Sequence, residues 1–250
     1  MSHGQLLESA NGGLRIWRHP WKGGQFVVGV DTAEGVRDGD YSCACVLEAE
    51  SMEQVAEWHC HMRPTQWGYA CARLGWHYNE APIAFETHPS PYGLEAFNSC
   101  ERYGYQRMWV QRVYDALEAR WTTKKGWRRA ANSTAGLLNR VRDALVEQIP
   151  IRSEPLLDEM AACRLDASDV GASRTDFGAI RGKIKRGDHD DRIIAYGIAL
   201  LVRDDSWSRG EIKPAARPVE DLADLYWQRQ AALESEPTPE NYEEVWDGVS

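Results

Sequence analysis

Residues 26–48, FVVGVDTAEGVRDGDYSCACVLE, hold the pattern from which the fold of this chain can be inferred. The first six residues are almost continuously apolar, which is typical of a central strand covered on both faces. The Asp-Gly pair at 38–39 predicts a turn, and residues 41–48 predict the next strand. A core strand usually ends in a neutral turn, whereas this one ends at Asp31.

Two explanations of the acids in this turn are open at the level of the motif alone. Asp31 is followed by Glu34, Asp38 and Asp40, which either form a solvated hairpin or hold a cation. Asp38 and Asp40 fit the turn itself. Glu34 is near enough to reach a metal through water, but it is more typical of a solvated turn acid.

The remaining elements follow from hydrophobic periodicity and from helix and turn signals. Three strands come first and suit an antiparallel meander, after which strands alternate with helices. This order predicts an α/β domain with a mixed sheet and helices on both faces. The predicted strands are 14–18, 26–31, 41–48, 54–61, 81–86 and 107–112, and the predicted helices are 64–78, 91–104, 131–148, 154–163 and 188–203.

Acidic residues also mark two later elements of this predicted fold. Glu86 ends the apolar strand 81–86, and Asp190 with Asp191 opens the last long helix. The ends of neighbouring parallel strands lie close together, and a helix that crosses those ends adds its first-turn carboxylates. Converging carboxylates without bases require a divalent cation or protonation, and oxygen ligands suit Mg²⁺ or Mn²⁺. Two such ions about 4 Å apart are the usual device for phosphodiester hydrolysis.

The charge of the chain is unevenly distributed, so its negative net charge does not exclude a nucleic-acid partner. The net charge is −9, but residues 204–250 carry twelve acids and four bases, which leaves −1 for residues 1–203. Two basic clusters flank the acidic motifs and are either solvated loops or contacts to DNA phosphates. The first cluster contains Arg120, Lys124, Lys125, Arg128 and Arg129, and the second contains Arg181, Lys183, Lys185 and Arg186.

Composition limits the domain organisation and the compartment. We expect one domain over 1–203, with residues 1–13 flexible, and an acidic, proline-containing tail over 204–250 that is partly disordered or loosely packed. The sequence has no signal-peptide core and no apolar run long enough to span a membrane, so a cytoplasmic protein with reduced cysteines is expected. WHCHM at 58–62 fits an alternating strand better than a metal site.

Several of these motifs resemble the nuclease domain of tailed-phage terminase large subunits. The resemblance covers about residues 14–203 and rests on the opening stretch 14–48, on IAFETHPSPYG at 83–93, on the segment 121–163 and on GDHDDRIIAYGIAL at 187–200. It implies a ribonuclease H-like fold and a metal-dependent endonuclease that cuts concatemeric double-stranded DNA. The implied metal ligands are Asp31, Glu86, and Asp190 or Asp191, with Asp188 a weaker candidate.

The resemblance also implies a setting and partners. These are Mg²⁺ or Mn²⁺ as a pair of ions, double-stranded DNA, a terminase ATPase domain, a small terminase subunit and a portal protein, in the cytoplasm of an infected host. The chain has no GxxxxGK[ST] motif, so it should cut DNA but not pump it, either as an excised domain or as a natural split product.

Other functions fit parts of the pattern. The acidic tail would suit a non-catalytic docking module of the packaging motor. A junction resolvase would share the ribonuclease H-like fold. A sugar-kinase-like or actin-like ATPase is disfavoured, because Ala33 and Glu34 would crowd or repel a phosphate in the loop GVDTAEG.

Overall fold

A computed structural model describes the protein over residues 13–36, 39–115, 118–162 and 190–211. The strands are β1 Leu14–Ile16, β2 Phe26–Asp31, β3 Ser42–Glu48, β4 Gln54–Cys60, β5 Ile83–His88, β6 Val110–Asp115, β7 Arg120–Lys125 and β8 Trp127–Arg128. The helices are α1 Pro64–His77, α2 Pro91–Arg102, α3 Ala131–Val146, α4 Glu154–Ala162 and α5 Asp191–Ser208.

The central sheet has six strands in the order β1-β4-β3-β2-β5-β8. Strands β2, β3 and β4 form the predicted antiparallel meander, and β1 pairs with β4 at the edge. Strand β5 lies parallel to β2, and β8 lies parallel to β5. The mixed sheet is therefore confirmed, with its antiparallel part first along the chain.

Hydrophobic clusters cover both faces of this sheet, as the sequence predicts. Helices α1 and α2 pack on one face, where Trp67, Phe85 and Phe97 are buried. Helices α3, α4 and α5 supply the cluster on the other face. Helix α5 lies close against β2, because a Cβ on Gly29 would lie only 2.1 Å from the carbonyl oxygen of Ala195. The absence of a side chain at Gly29 thus allows the backbone of α5 to pack directly against β2.

The predicted strand at 107–112 is displaced in the structure. Residues Arg107 and Trp109 bond to the backbone of Ile83, but the strand itself is β6, which pairs with β7 in a separate hairpin. The two residues of β8 then take the sheet position beside β5. The basic run at 120–129 therefore forms strands, and the loop interpretation of it is wrong.

Several helices begin at the edge of the sheet where β2 ends. Strand β4 is parallel to β2, because both are antiparallel to β3, and α1 begins after it. Helices α2 and α3 follow β5 and β8, which also run parallel to β2. The N-terminal ends of these helices carry a partial positive charge, so this edge has a favourable field for anions.

Two element ends differ from the sequence prediction. Strand β5 continues two residues past Glu86 to His88, and α5 continues to Ser208, beyond the predicted domain boundary at 203. The domain division stays a prediction, since residues 212–250 lie outside the described residues. Within the described part of the chain, the cysteines are free and mostly buried, and no helix has the length and apolarity to cross a membrane.

Candidate metal centre

Two adjacent strands bring the first pair of acids together. The parallel register pairs Val30 of β2 with Phe85 of β5, so the next residues, Asp31 and Glu86, stand side by side. Both are buried, and the proximity of Glu86 raises the pKa of Asp31. The Oδ1 atom of Asp31 also accepts a hydrogen bond of 2.8 Å from the backbone N–H of Thr32, which fixes the orientation of the carboxyl group.

Helix α5 brings the second pair of acids to the same place. Asp190 is its N-cap residue and Asp191 is its first residue, so both lie where the helix meets the end of β2. One carboxylate oxygen from each of Asp31, Asp190 and Asp191 can be chosen so that all lie within 4.8 Å of one another. The structure therefore brings together three of the four predicted ligands, and the fourth, Glu86, adjoins them. We call these four residues the acid centre.

An arginine pairs with the acid centre. The guanidinium of Arg129 donates to Oε1 and Oε2 of Glu86 at 2.6 and 3.1 Å and to Oδ2 of Asp190 at 3.0 Å. It also lies 4.0 Å from Oδ2 of Asp31. The sequence interpretation assigned Arg129 to a DNA-contacting surface cluster, whereas the structure pairs it with the acids.

Burial and mutual repulsion dominate the titration of these groups. Burial, the neighbouring Glu86 and Asp191 raise the pKa of Asp31 well above its ordinary value, and Arg129 only partly offsets this. Burial also raises the pKa of Asp190, again against the influence of Arg129. Burial alone would lower the pKa of Arg129, but the surrounding carboxylates raise it, so the guanidinium stays charged. One arginine does not neutralise the acid centre.

The donor set fits a hard divalent cation. Carboxylate oxygens are the ligands that Mg²⁺ and Mn²⁺ prefer. Among the described residues, Oδ2 of Asp191 is buried and has no hydrogen-bond partner, which is costly for a carboxylate unless a cation compensates it. That atom belongs to one of the three aspartates whose oxygens converge, and this combination points to a bound ion rather than to a solvated turn.

A histidine that the sequence interpretation left aside lies next to the acid centre. In the sheet, Asp31 pairs with Cys43 and Cys43 pairs with His59, so these three side chains form one row. The Nε2 atom of His59 is 3.9 Å from Oδ2 of Asp191, and its ring stacks on Tyr41. Strand-end reasoning could have found His59, because β4 ends at the same edge as β2.

A buried ion-pair network fixes the start of α5. Arg192, next to Asp191, donates to Glu57 of β4 at 3.1 Å and to Glu159 of α4 at 2.6 Å. Its side chain is 15% exposed and that of Glu57 is 2% exposed, so the pairs are largely shielded from solvent. The network ties α5 to the sheet and to α4 one residue away from the candidate ligands.

Among the described residues, the other predicted site residues form no hydrogen bond or ion pair with the acid centre. Lys124 and Lys125 are on β7 and Arg128 is on β8, all exposed. Lys125 pairs with Glu101 at 2.5 Å. The second basic cluster, at 181–186, and Asp38 and Asp188 lie outside the described residues. Exposed Glu34 lines a cavity of about 490 Å³ beside the start of α1 and is not one of the three converging aspartates.

Comparison with known proteins identifies the fold. No family model matches the sequence, and no curated relative matches it either. The large terminase nuclease from thermophilic phage G20c with bound magnesium superposes with a TM-score of 0.56 at 13% identity, over 77% of this chain and 89% of that one. The nuclease domain of the large terminase of Thermus phage P74-26 gives a TM-score of 0.51 at 15% identity, over 78% of this chain and 87% of that one.

These similarities confirm the ribonuclease H-like fold and its likeness to large terminase nuclease domains. Other structures of the G20c nuclease hold cobalt or zinc. At this level of identity the likeness defines the architecture of the chain.

Proposed function

We propose that this protein is a metal-dependent DNA endonuclease of a tailed-phage packaging terminase, which cuts concatemeric double-stranded DNA. The observation that carries the proposal is the convergence of Asp31, Asp190 and Asp191, with Oδ2 of Asp191 buried and unpartnered. Support comes from the shared fold with the G20c nuclease, one structure of which contains bound magnesium.

The residues of the acid centre have distinct roles in this proposal. Asp31, Asp190 and Asp191 hold the cation, and Glu86 extends the centre toward a second one. When bound, a pair of Mg²⁺ or Mn²⁺ ions activates the attacking water and stabilises the leaving oxygen of a phosphodiester. The β2–β5 ladder and the Arg192 network keep the ligands in place, which matters because small displacements of catalytic groups cost large factors in rate.

DNA would approach this edge of the sheet along a basic surface. The β6–β7 hairpin presents Lys124 and Arg112, and the guanidinium of Arg112 lies 5.3 Å from the ring of the exposed Trp121. Arg128 follows on β8. We assign phosphate contacts to this surface, together with the cluster Arg181, Lys183, Lys185 and Arg186, and such contacts weaken as salt rises.

The wider setting follows from the same proposal. A terminase ATPase domain, a small terminase subunit and a portal protein are the expected partners, and the host cytoplasm is the expected compartment. The acidic tail over 204–250 is the segment we would test first for docking to these partners.

The test is cleavage of supercoiled plasmid with Mn²⁺, Mg²⁺ or EDTA by the wild type and by Asp31→Asn. We expect metal-dependent nicking or linearisation that falls at least about a hundredfold in the variant, as for loss of a catalytic electrostatic group. Asp143→Asn is the matched control, because Asp143 is exposed on α3 and pairs with its neighbour Arg142. Cutting by both variants alike would refute the assignment of the site. A folded, metal-binding wild type that does not cut would favour a docking module.

A further inference from the structure

Arg129 makes more contacts with the acid centre than an exposed side chain that only binds DNA phosphates would make. Its three nitrogens reach both oxygens of Glu86 and one oxygen of Asp190 within 3.1 Å. Two parallel contacts to one carboxylate are the strongest geometry available to an arginine. Both oxygens of Glu86 are thus engaged, while the converging oxygens of Asp31 and Asp191 are not bonded to the guanidinium at hydrogen-bond distance.

The backbone of Arg129 is fixed to the sheet. Its N–H donates to the carbonyl oxygen of His88 at 3.0 Å, and its carbonyl oxygen lies 3.1 Å from Nδ1 of the same histidine. Since β8 pairs with β5 through Glu86 and Trp127, the start of the arginine side chain is held next to Glu86. The side chain is 29% exposed, so its guanidinium has an open path to solvent while its backbone stays in place.

The acid centre therefore has two unequal ends. At one end the three aspartates converge, and one of their oxygens is buried without a partner. At the other end Glu86 is already paired with a cation that belongs to the chain. A divalent ion at the aspartate end competes with Arg129 only for one oxygen of Asp190, whereas an ion that uses Glu86 must displace the guanidinium from both carboxylate oxygens.

We propose that Arg129 is a resident cation that limits the acid centre to one divalent ion until a DNA phosphate draws the guanidinium away. This inference rests on the proposed function. Phosphate accepts the two-pronged arginine contact as well as a carboxylate does, so the exchange keeps the geometry that Arg129 already has. Binding of substrate DNA thereby frees Glu86 to bind the second ion. Without DNA, the acid centre binds only the first ion.

The test counts Mn²⁺ ions bound to the DNA-free protein by titration calorimetry and by the electron paramagnetic resonance signal of free Mn²⁺. We expect one tightly bound ion on the wild type, with a second ion binding only at much higher Mn²⁺, and two tightly bound ions on Arg129→Gln. Arg142→Gln is the matched control and should bind one ion, because Arg142 is exposed on α3 beside Asp143. Arg129→Lys keeps the charge but loses the two-pronged contact, so its second ion should bind at about tenfold lower Mn²⁺ than in the wild type.

Each outcome bears on one of the two proposals. Two ions of equal affinity on the wild type, or one ion on Arg129→Gln, would overturn the role of Arg129 and leave the metal centre intact. If Arg129→Gln does not fold, the comparison of Arg129→Lys with the wild type decides instead, and equal affinity for the second ion overturns the role. No ion on any folded variant would overturn the proposed function itself.

Discussion

Replacing Asp31 by Asn should stabilise the metal-free protein. Asp31 lies within 4.8 Å of oxygens of both Asp190 and Asp191. At an effective dielectric constant near 20, each of these repulsions amounts to about 3.5 kcal/mol. The attraction from Arg129 at 4.0 Å offsets about 4 kcal/mol of the total. A net repulsion of about 3 kcal/mol remains before any contribution from Glu86.

Asparagine removes this repulsion at little structural cost. Its side-chain oxygen can still accept the hydrogen bond from the N–H of Thr32, and its amide can donate to Glu86. Proton uptake by Asp31 already relieves part of the repulsion, so we expect a gain of about 2 kcal/mol, or about 4–8 °C in Tm. The measurement is thermal unfolding by circular dichroism at pH 7 in EDTA.

The stability gain of Asp31→Asn over the wild type should depend on pH. The pKa of Asp31 is raised in the folded protein by burial, by Glu86 and by Asp191, so the folded state binds the proton more tightly than the unfolded state. Proton binding to Asp31 therefore stabilises the folded wild type. This contribution is fully present below the ordinary aspartate pKa of 3.8 and is lost as the pH rises through the raised pKa of Asp31. The stability gap between Asp31→Asn and the wild type should therefore widen from acidic to neutral pH.

Metal should reverse the order of stability. Mg²⁺ at a hundred times its dissociation constant stabilises the wild type by about 2.7 kcal/mol, whereas Asp31→Asn should show little shift. Asp143→Asn should stay within about 0.5 kcal/mol of the wild type in every condition. A variant Asp31→Asn that is less stable than the wild type in EDTA at neutral pH would refute the repulsion argument.

Two further predictions concern the support of the centre. Gly29→Ala should destabilise the protein by about 3 kcal/mol or more in urea unfolding, because the added methyl group would clash with the backbone of α5. Gly136→Ala is the control: its methyl group would meet only one side-chain atom, at 3.9 Å, so its effect on stability should be neutral or slightly stabilising. Arg192→Ala should cost about 3–5 kcal/mol, because Glu57 and Glu159 would be left as buried charges, and a loss below 1 kcal/mol would contradict the shielding of this network.

The acids of the centre were predictable because each ends or begins a strongly patterned element. Asp31 ends an apolar run, Glu86 lies near the end of another, and Asp190 with Asp191 opens a largely apolar helix. Parallel strand order then brings them together. The mixed sheet followed from the same patterns, since the meander 26–61 is built of local contacts that the sequence specifies well.

The parts that sequence did not predict depend on tertiary pairing. Nothing in the run at 120–129 distinguishes Arg129, which turns inward, from Arg128, which stays exposed. Only the short β8 pairing with β5 decides it. Likewise, the strand signal at 107–112 was real, but its outer half leaves the sheet to pair with β7, and single-strand propensity does not specify the partner.

The wide separation of the acids along the chain has a consequence for synthesis. Asp31 and Glu86 lie in the first half of the sequence, whereas Asp190 and Asp191 open the last helix that the structure describes. At about 5–20 residues per second, the ribosome needs about 8–32 s to travel from the first acid to the last. During that time the nascent chain has at most two of the four carboxylates. If these residues cut DNA, the nascent chain stays inactive at least until Asp190 and Asp191 have been synthesised.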